Sequence, residues 1–194
     1  RVVGETVLPH PTLAKLNQTA SADLVVDTDG KVRRGLLSVI SPNGEVRQGL
    51  ATVLALDYLA ELEIEPEILE GRRLSLQLGN AKVTRFEKSD GGYVDADAGG
   101  FQVLMNYEGT SQQFESISLR SILAGELTED MVRDRIVLLG STATSLNDLF
   151  QTVPENNEPV AGVYIHAHLV HQLLQVAIEG KSFIRTVPDA IEWL

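Results

Sequence analysis

The feature that most constrains the fold lies late in the chain, where Ile136, Val137, Leu138 and Leu139 follow three charged residues and end on Gly140. An uninterrupted apolar run of strand length, closed by glycine, suits a strand covered on both faces, as in parallel sheets. After a stretch rich in Ser, Thr, Asn and Pro, Gly162 opens a helical pattern that continues to about Glu179. A buried strand followed by a helix predicts an α/β fold with a mixed, partly parallel sheet flanked by helices.

The rest of the chain adds β-hairpins to that frame. Asp27, Thr28, Asp29 and Gly30 separate two β-prone runs, Leu24 to Val26 and Val32 to Ile40, which reads as a hairpin. Ser41, Pro42, Asn43 and Gly44 form a second turn that returns through Glu45, Val46 and Arg47 into a helix from about Leu50 to Ile64. Only Thr52, Asp57, Glu61 and Glu63 interrupt its apolar character, so most of its circumference should be covered. Leu74, Leu76 and Leu78 alternate with polar residues, Gly79 and Asn80 turn, and Val83 to Phe86 returns, another hairpin with one buried face. Glu87 to Gly100 is glycine-rich, acidic and without period, as expected of an exposed loop. Phe101, Val103 and Met105 alternate as a strand, and helical turns are expected at Ser118 to Ala124 and near Asp130.

With 194 residues and 43% apolar content, the chain is long enough for one good core, so residues 1–194 are expected to form a single domain. A net charge of -11 repels phosphate backbones and anionic headgroups, which excludes nucleic acid as a partner. No stretch approaches the ~18 apolar residues needed to span a bilayer. Membrane attachment would therefore come only through segments outside this chain. Arg1 at the start, and Trp193 and Leu194 inside an apolar pattern at the end, are what a segment of a longer protein would show. Cysteine is absent, which removes disulfides and thiolate sites without fixing the redox compartment.

Candidate chemistry is sparse. At 100° per residue His168, His171, Gln172, Gln175 and Glu179 share one arc of the last helix and should face solvent, with His166 roughly opposite and toward the core. Two histidines can hold a metal, but zinc needs further protein ligands that no motif supplies, so neither metal nor cofactor is expected. Gly140 to Ser145 follows the carboxyl end of the expected buried strand, where open α/β sheets place ligands. Its hydroxyls and amides suit an anion or polar ligand, or else merely cap neighbouring backbone; the Gly-Lys-Ser/Thr of a phosphate loop is missing. Ser141, His166 and Asp148 have the residue types of a hydrolase, yet no Gly-x-Ser-x-Gly elbow accompanies them. Asp95 and Asp97 resemble part of a calcium loop, but the further ligands and the closing glutamate are lacking. Arg33 and Arg34 are expected to divide, one pairing with a carboxylate and one facing water, unless one lines a cleft and clamps an anion.

Taken together, these residues resemble the cyclase and histidine-kinase associated sensory extracellular domains of the second type, the CHASE type-two family. The resemblance rests on Asp27, Asp29, Gly30, Arg33 and Arg34; on Tyr107, Gly109, Phe114, Ser118 or Ser121, Leu123 and Gly125; on Ile136 to Ala143 with Asp148, Phe150 and Thr152; and on Gly162, Val163, Ile165, His166, Ala167, Leu173 and Leu174. Glu108 and Thr110 stand where the family usually has Arg and Pro, and Val153 separates Thr152 from Pro154. The resemblance implies the periplasmic, extracytoplasmic sensor of a transmembrane receptor, without catalysis of its own. The output would be a cytoplasmic nucleotide cyclase, histidine kinase, Ser/Thr kinase or cyclic-dinucleotide enzyme. It further implies a segment preceding this chain, and an exit toward the membrane through Pro188, Ile191 and Trp193.

Tyr107, Ser141, Thr142, Asp148, His166 and Arg33 are the expected ligand-binding residues. The partner would be an unknown small molecule or a periplasmic protein, in a receptor expected to be a homodimer. A dimerisation module without a ligand and, less favoured, a small hydrolase remain as alternatives.

Overall fold

The structure is a computed structural model that describes residues 9–41, 44–155 and 158–186. A short helix, α1 (Pro11–Lys15), starts where His10 Nδ1 accepts from the Thr12 amide and proline needs no partner at the first helical position. The chain then turns at Asp27 to Gly30, closed by Gly30 N donating to Asp27 O at 2.8 Å. Beyond it the expected run from Val32 to Ile40 divides at Arg33. Its start is β1 (Lys31–Val32) and its remainder β2 (Arg34–Ile40), and the two serve different sheets.

β2 is the centre of an antiparallel sheet between β3 (Val46–Gln48) and β7 (Phe101–Leu104). Between β2 and β3 the turn is expected at Ser41 to Gly44; Pro42 and Asn43 lie outside the described residues. From Gly49 the chain enters α2 (Leu50–Ala60), which leaves only Asp57 and Ala60 exposed, so the expected coverage holds. The helix stops before Ile64 because Glu63 adopts a left-handed φ of 59° and Ile64 N donates back to Leu59 O.

A second antiparallel sheet is the meander β4 (Pro66–Leu69), β5 (Ser75–Leu78) and β6 (Ala81–Thr84), with Leu76 opposite Val83 and Leu78 opposite Ala81. The β5–β6 hairpin was legible in the alternation of leucines; β4, mostly exposed and carrying Pro66 and Glu67, was not. A third sheet has β1 parallel to β8 (Leu149–Thr152), with β9 (Pro159–Ala161) antiparallel on the far side. The fold is thus mixed α/β, with its parallel pairing at β1 and β8.

That pairing is not where the sequence placed it. Residues 136–140 form no strand, and no backbone hydrogen bond joins them to another segment among the described residues. Ile136 is partly buried against the core while Val137 is 61% and Leu139 88% exposed. A run buried on both faces needs a layer on each side, and the described residues supply one.

α4 (Gly162–Glu179) is the spine of the core. Ile165, Leu169, Leu173 and Val176 pack with Ala55 and Leu59 of α2 and with Leu37, Val103 and Met105. Gly35 permits the approach: a Cβ there would stand 2.7 Å from a Leu169 methyl. At the other end Gly79, with φ of 52°, lies so close to α4 that a Cβ would meet Ala177 O at 2.2 Å. Asn80 uses that proximity to donate its backbone N to Ala177 O and its side-chain amide to Ile178 O, both at 3.1 Å. Two carbonyls of the last helical turn are thereby satisfied. Gly180 ends the helix in the left-handed region. Between α3 (Leu119–Leu123), capped by Ser118 accepting from Ser121 N, and β8 the chain has only short single turns.

Candidate functional site

The polar arc of α4, expected to be solvated, is instead buried under another part of the chain. His168 is 5% exposed, and Gln172 and Gln175 are buried with it; of the arc only His171 and Glu179 reach solvent appreciably. The covering segment runs from Asn106 to Phe114. Asn106 N donates to Gln172 Oε1 at 3.2 Å, and Gln175 Nε2 donates to Glu108 Oε2 at 2.9 Å. Lys181 Nζ reaches the same carboxylate at 3.3 Å. The Gln175 bond and the Lys181 charge hold Glu108 below its ordinary carboxylate range.

His168 sits at the middle of this docking face. Its ring meets Tyr107 and Phe114 edge-on, with centroids 5.0 and 4.8 Å away, and Nδ1 lies 3.2 Å from Gln113 Nε2. Burial pushes its pKa down to about 4, against the opposing pull of the Glu155 charge, so the ring is neutral at pH 7. Tyr107 donates its hydroxyl to Val32 O at 3.0 Å, and burial raises its pKa well above the ordinary phenol value.

Three of the expected ligand-binding positions gather near the first turn of α4. Gly162 N donates to Asp148 O at 3.1 Å, and the Asp148 carboxylate comes within 2.8 Å of where a Cβ at 162 would stand. A carboxylate at a helix N-terminus is favourably placed against the macrodipole. A Cβ at Gly140 would strike the Val163 side chain at 2.5 Å, so the loop that begins with Ser141 starts on the same turn. His166 is buried, its pKa lowered chiefly by that burial, with a hydrogen bond to the Ala22 backbone and the Asp148 charge acting the other way. Ser141 Oγ accepts from Ala143 N at 3.3 Å, Thr142 is exposed, and Asn147 takes a left-handed φ of 54°. Among the described residues no hydrogen bond links Ser141 to His166, so the hydrolase constellation is not assembled.

Tyr107 lies further along α4, against His168, and Arg33 points elsewhere. Both arginines of the hairpin share Asp27, which corrects the expected division between pair and solvent. Arg33 Nη1 donates to Asp27 Oδ2 at 2.9 Å and to Asp29 Oδ1 at 2.8 Å, and these contacts lower the Asp29 pKa and raise that of Arg33. Arg34, buried, donates Nε to Asp27 Oδ1 at 2.9 Å and Nη1 to Asp97 O at 2.6 Å and Gln102 Oε1 at 2.8 Å. Its guanidinium also lies over the rings of Phe86 and Tyr93. Tyr93 donates to Asp27 Oδ2 at 2.7 Å, with its pKa pushed up to about 12 by burial and by that carboxylate.

The stretch from Glu87 to Gly100 is therefore no freely solvated loop. It supplies Tyr93 and the Asp97 carbonyl as a lid on Arg34, and its Asp90 is 4% exposed and paired with Arg73 at 2.8 Å. Asp95 pairs with Lys88 at 2.7 Å. Among the described residues no group of three or more His, Asp or Glu is placed to hold a metal ion.

A cavity of about 170 Å³ opens between the outer edge of β7, the end of the β6 return and the stretch from Phe183 to Thr186. Its cationic lining comes from Arg73, Lys82, Arg85 and Arg185, too scattered along the chain for spacing to reveal.

The described residues thus form a mixed α/β unit with an exposed loop at the start of α4 and two buried histidines, His166 and His168. Comparison with known families gives the assignment: the CHASE2 domain pattern matches residues 2–194. The chain belongs to the CHASE2 family, a family of sensory extracellular domains. No curated protein and no solved structure matches it. No helix among the described residues is long and apolar enough to cross a membrane.

Proposed function

We propose that this chain is the extracytoplasmic, periplasmic sensor of a transmembrane signal-transduction receptor, and that it regulates a cytoplasmic nucleotide cyclase, histidine kinase or Ser/Thr kinase. The observation that supports the reading beyond family membership is the arrangement at the start of α4. An exposed loop, Ser141 to Asp148, rests on the first turn of the helix that leads toward the end of the chain. A small molecule contacting Ser141, Thr142 and Asp148 would change how that turn is held, with His166 and Tyr107 as the buried groups that register the change. Arg33 takes part only by leaving Asp27 and Asp29 in the bound state. Because Asp148 already places negative charge at the helix start, the ligand there is polar or cationic rather than anionic. Signalling requires a ligand that binds two states unequally.

A thermal-shift screen of amino acids, sugars, nucleosides and divalent metals tests this reading, since a ligand of the native state raises Tm by mass action. A saturable shift that Thr142→Ala or Asp148→Asn abolishes is the expected result. A shift that neither variant alters places the ligand elsewhere and refutes the site.

A second reading, a homodimerisation or protein-docking module, draws support from Val137, Leu139, Leu123 and Leu146, large apolar side chains exposed on neighbouring stretches of chain. It predicts self-association in sedimentation that Leu139→Lys reduces.

A further inference from the structure

We infer that the cavity between β7 and residues 183–186 is an anion-binding site for a small oxyanion with two or more negative charges, such as a dicarboxylate or a phosphate ester. The inference goes beyond the sensory reading and stands or falls without it.

The first support is charge. Eleven residues line the cavity, and at the chain's average of 16 Lys and Arg in 194 about one of them would be cationic. Four are: Arg73, Lys82, Arg85 and Arg185, against one acid, Asp90. In a chain of net charge -11 such a concentration opposes the general field. Only one of the four is neutralised internally. Arg73 is engaged by Asp90 at 2.8 Å and Glu87 at 3.1 Å. Lys82, Arg85 and Arg185 have no carboxylate partner among the described residues.

The second support is a donor left open. Arg85 Nη2 donates to Ala98 O at 2.8 Å, but Arg85 Nε is buried with no hydrogen-bond partner among the described residues. A buried guanidinium N–H without an acceptor is destabilising, and oxyanions are the acceptors that guanidinium groups bind best. The Thr84 and Thr186 side chains, also in the lining, offer hydroxyl donors.

The third support is size and construction. About 170 Å³ is below the ~300–1,000 Å³ of sites for drug-sized ligands and suits an ion or a four-carbon diacid. The floor is ordered: Phe86 N donates to Gln102 O at 2.8 Å and Ile184 N to Leu104 O at 3.2 Å, both onto β7, and Phe183 is buried in the core. One wall is thus the stretch that follows α4, and an anion bridging Arg185 to Lys82 and Arg85 would fasten that stretch to the β5–β6 hairpin.

Isothermal titration calorimetry of the 194-residue chain with inorganic phosphate and, separately, with succinate tests the site. The comparison is between the unaltered chain, Lys82→Gln/Arg185→Gln, and Arg120→Gln on α3 as a charge control. The paired change alters exposed side chains, so folding is not at risk, and matching melting curves verify this. Expected is saturable binding of at least one anion, weakened about ten-fold or more by the paired change and less than about two-fold by the control. Phosphate alone marks a phosphoryl ligand, succinate alone a carboxylate ligand. Absence of binding by both, or equal weakening in the control, overturns the inference.

Discussion

Replacing Arg34 by methionine should destabilise the fold far more than the same change at Arg33, although the two are adjacent and share a carboxylate. Arg34 and Asp27 have side chains only 5% and 6% exposed, and the arginine makes contacts at 2.9 and 2.7 Å to Asp27 as well as donating to Asp97 O and Gln102 Oε1. Removing one partner of a buried pair costs about 3–5 kcal/mol, because the other charge stays buried. Asp27 would keep Arg33 at 2.9 Å and Tyr93 at 2.7 Å, which places the loss at the lower end, about 3 kcal/mol. Arg33 is 34% exposed and its second partner Asp29 50%, so Arg33→Met should cost less than about 1 kcal/mol. Urea unfolding at pH 7 measures both. For a chain of this size the Arg34 loss corresponds to a Tm lower by about 6–12 °C. Equal losses at the two positions, or a loss below about 1 kcal/mol for Arg34→Met, would refute the view that burial rather than pairing sets the cost.

Two further outcomes follow from buried polar groups. His168 has a folded pKa near 4 against an unfolded value near 6.5. The stability it confers is therefore complete above pH 6.5 and declines as pH falls toward 4, by up to about 3 kcal/mol, with His166 acting in the same direction. The lowered carboxylates Asp29, Asp95 and Glu108 lose their contribution only at more acid pH, so urea midpoints between pH 7 and 5 isolate the histidines. His168→Gln should flatten that slope, and an unchanged slope would contradict the assignment. Thr52, buried on α2 with an Oγ1 that has no partner among the described residues, should tolerate Thr52→Val with a gain of about 1 kcal/mol in the same assay. A loss there would mean the hydroxyl is satisfied.

What the sequence disclosed was local. The β5–β6 leucines, the apolar wrap of α2, the helical turn after Ser118 and the span of α4 all follow from periodicity and turn chemistry within about twenty residues. The run at 136–140 misled because apolar continuity reports a capacity for burial, not the presence of a second layer. The arc of α4 misled differently. Periodicity separated its polar from its apolar face correctly, but whether a polar face meets water or a distant backbone depends on Asn106 and Glu108, more than sixty residues away. The sequence offers Arg33 and Arg34 as alternatives for a carboxylate pair, but the depth of Arg34 is fixed by Tyr93 and Asp97 from a stretch whose composition resembles a solvated loop. The cationic cavity was beyond sequence reading because Arg73, Lys82, Arg85 and Arg185 converge only after folding.

The bonds from Asn80 to Ala177 O and Ile178 O have a mechanical consequence. They fix α4 near its far end, so the helix resembles a lever whose fulcrum is the tip of a hairpin. From Gly162 to Ala177 the arm is about 22 Å at 1.5 Å per residue. A displacement of about 2 Å at the first turn would then rotate the helix by about 5°, while the residues beyond the fulcrum travel only a fraction of an ångström. Such a lever trades distance for torque: what leaves α4 toward Lys181 is a change of angle.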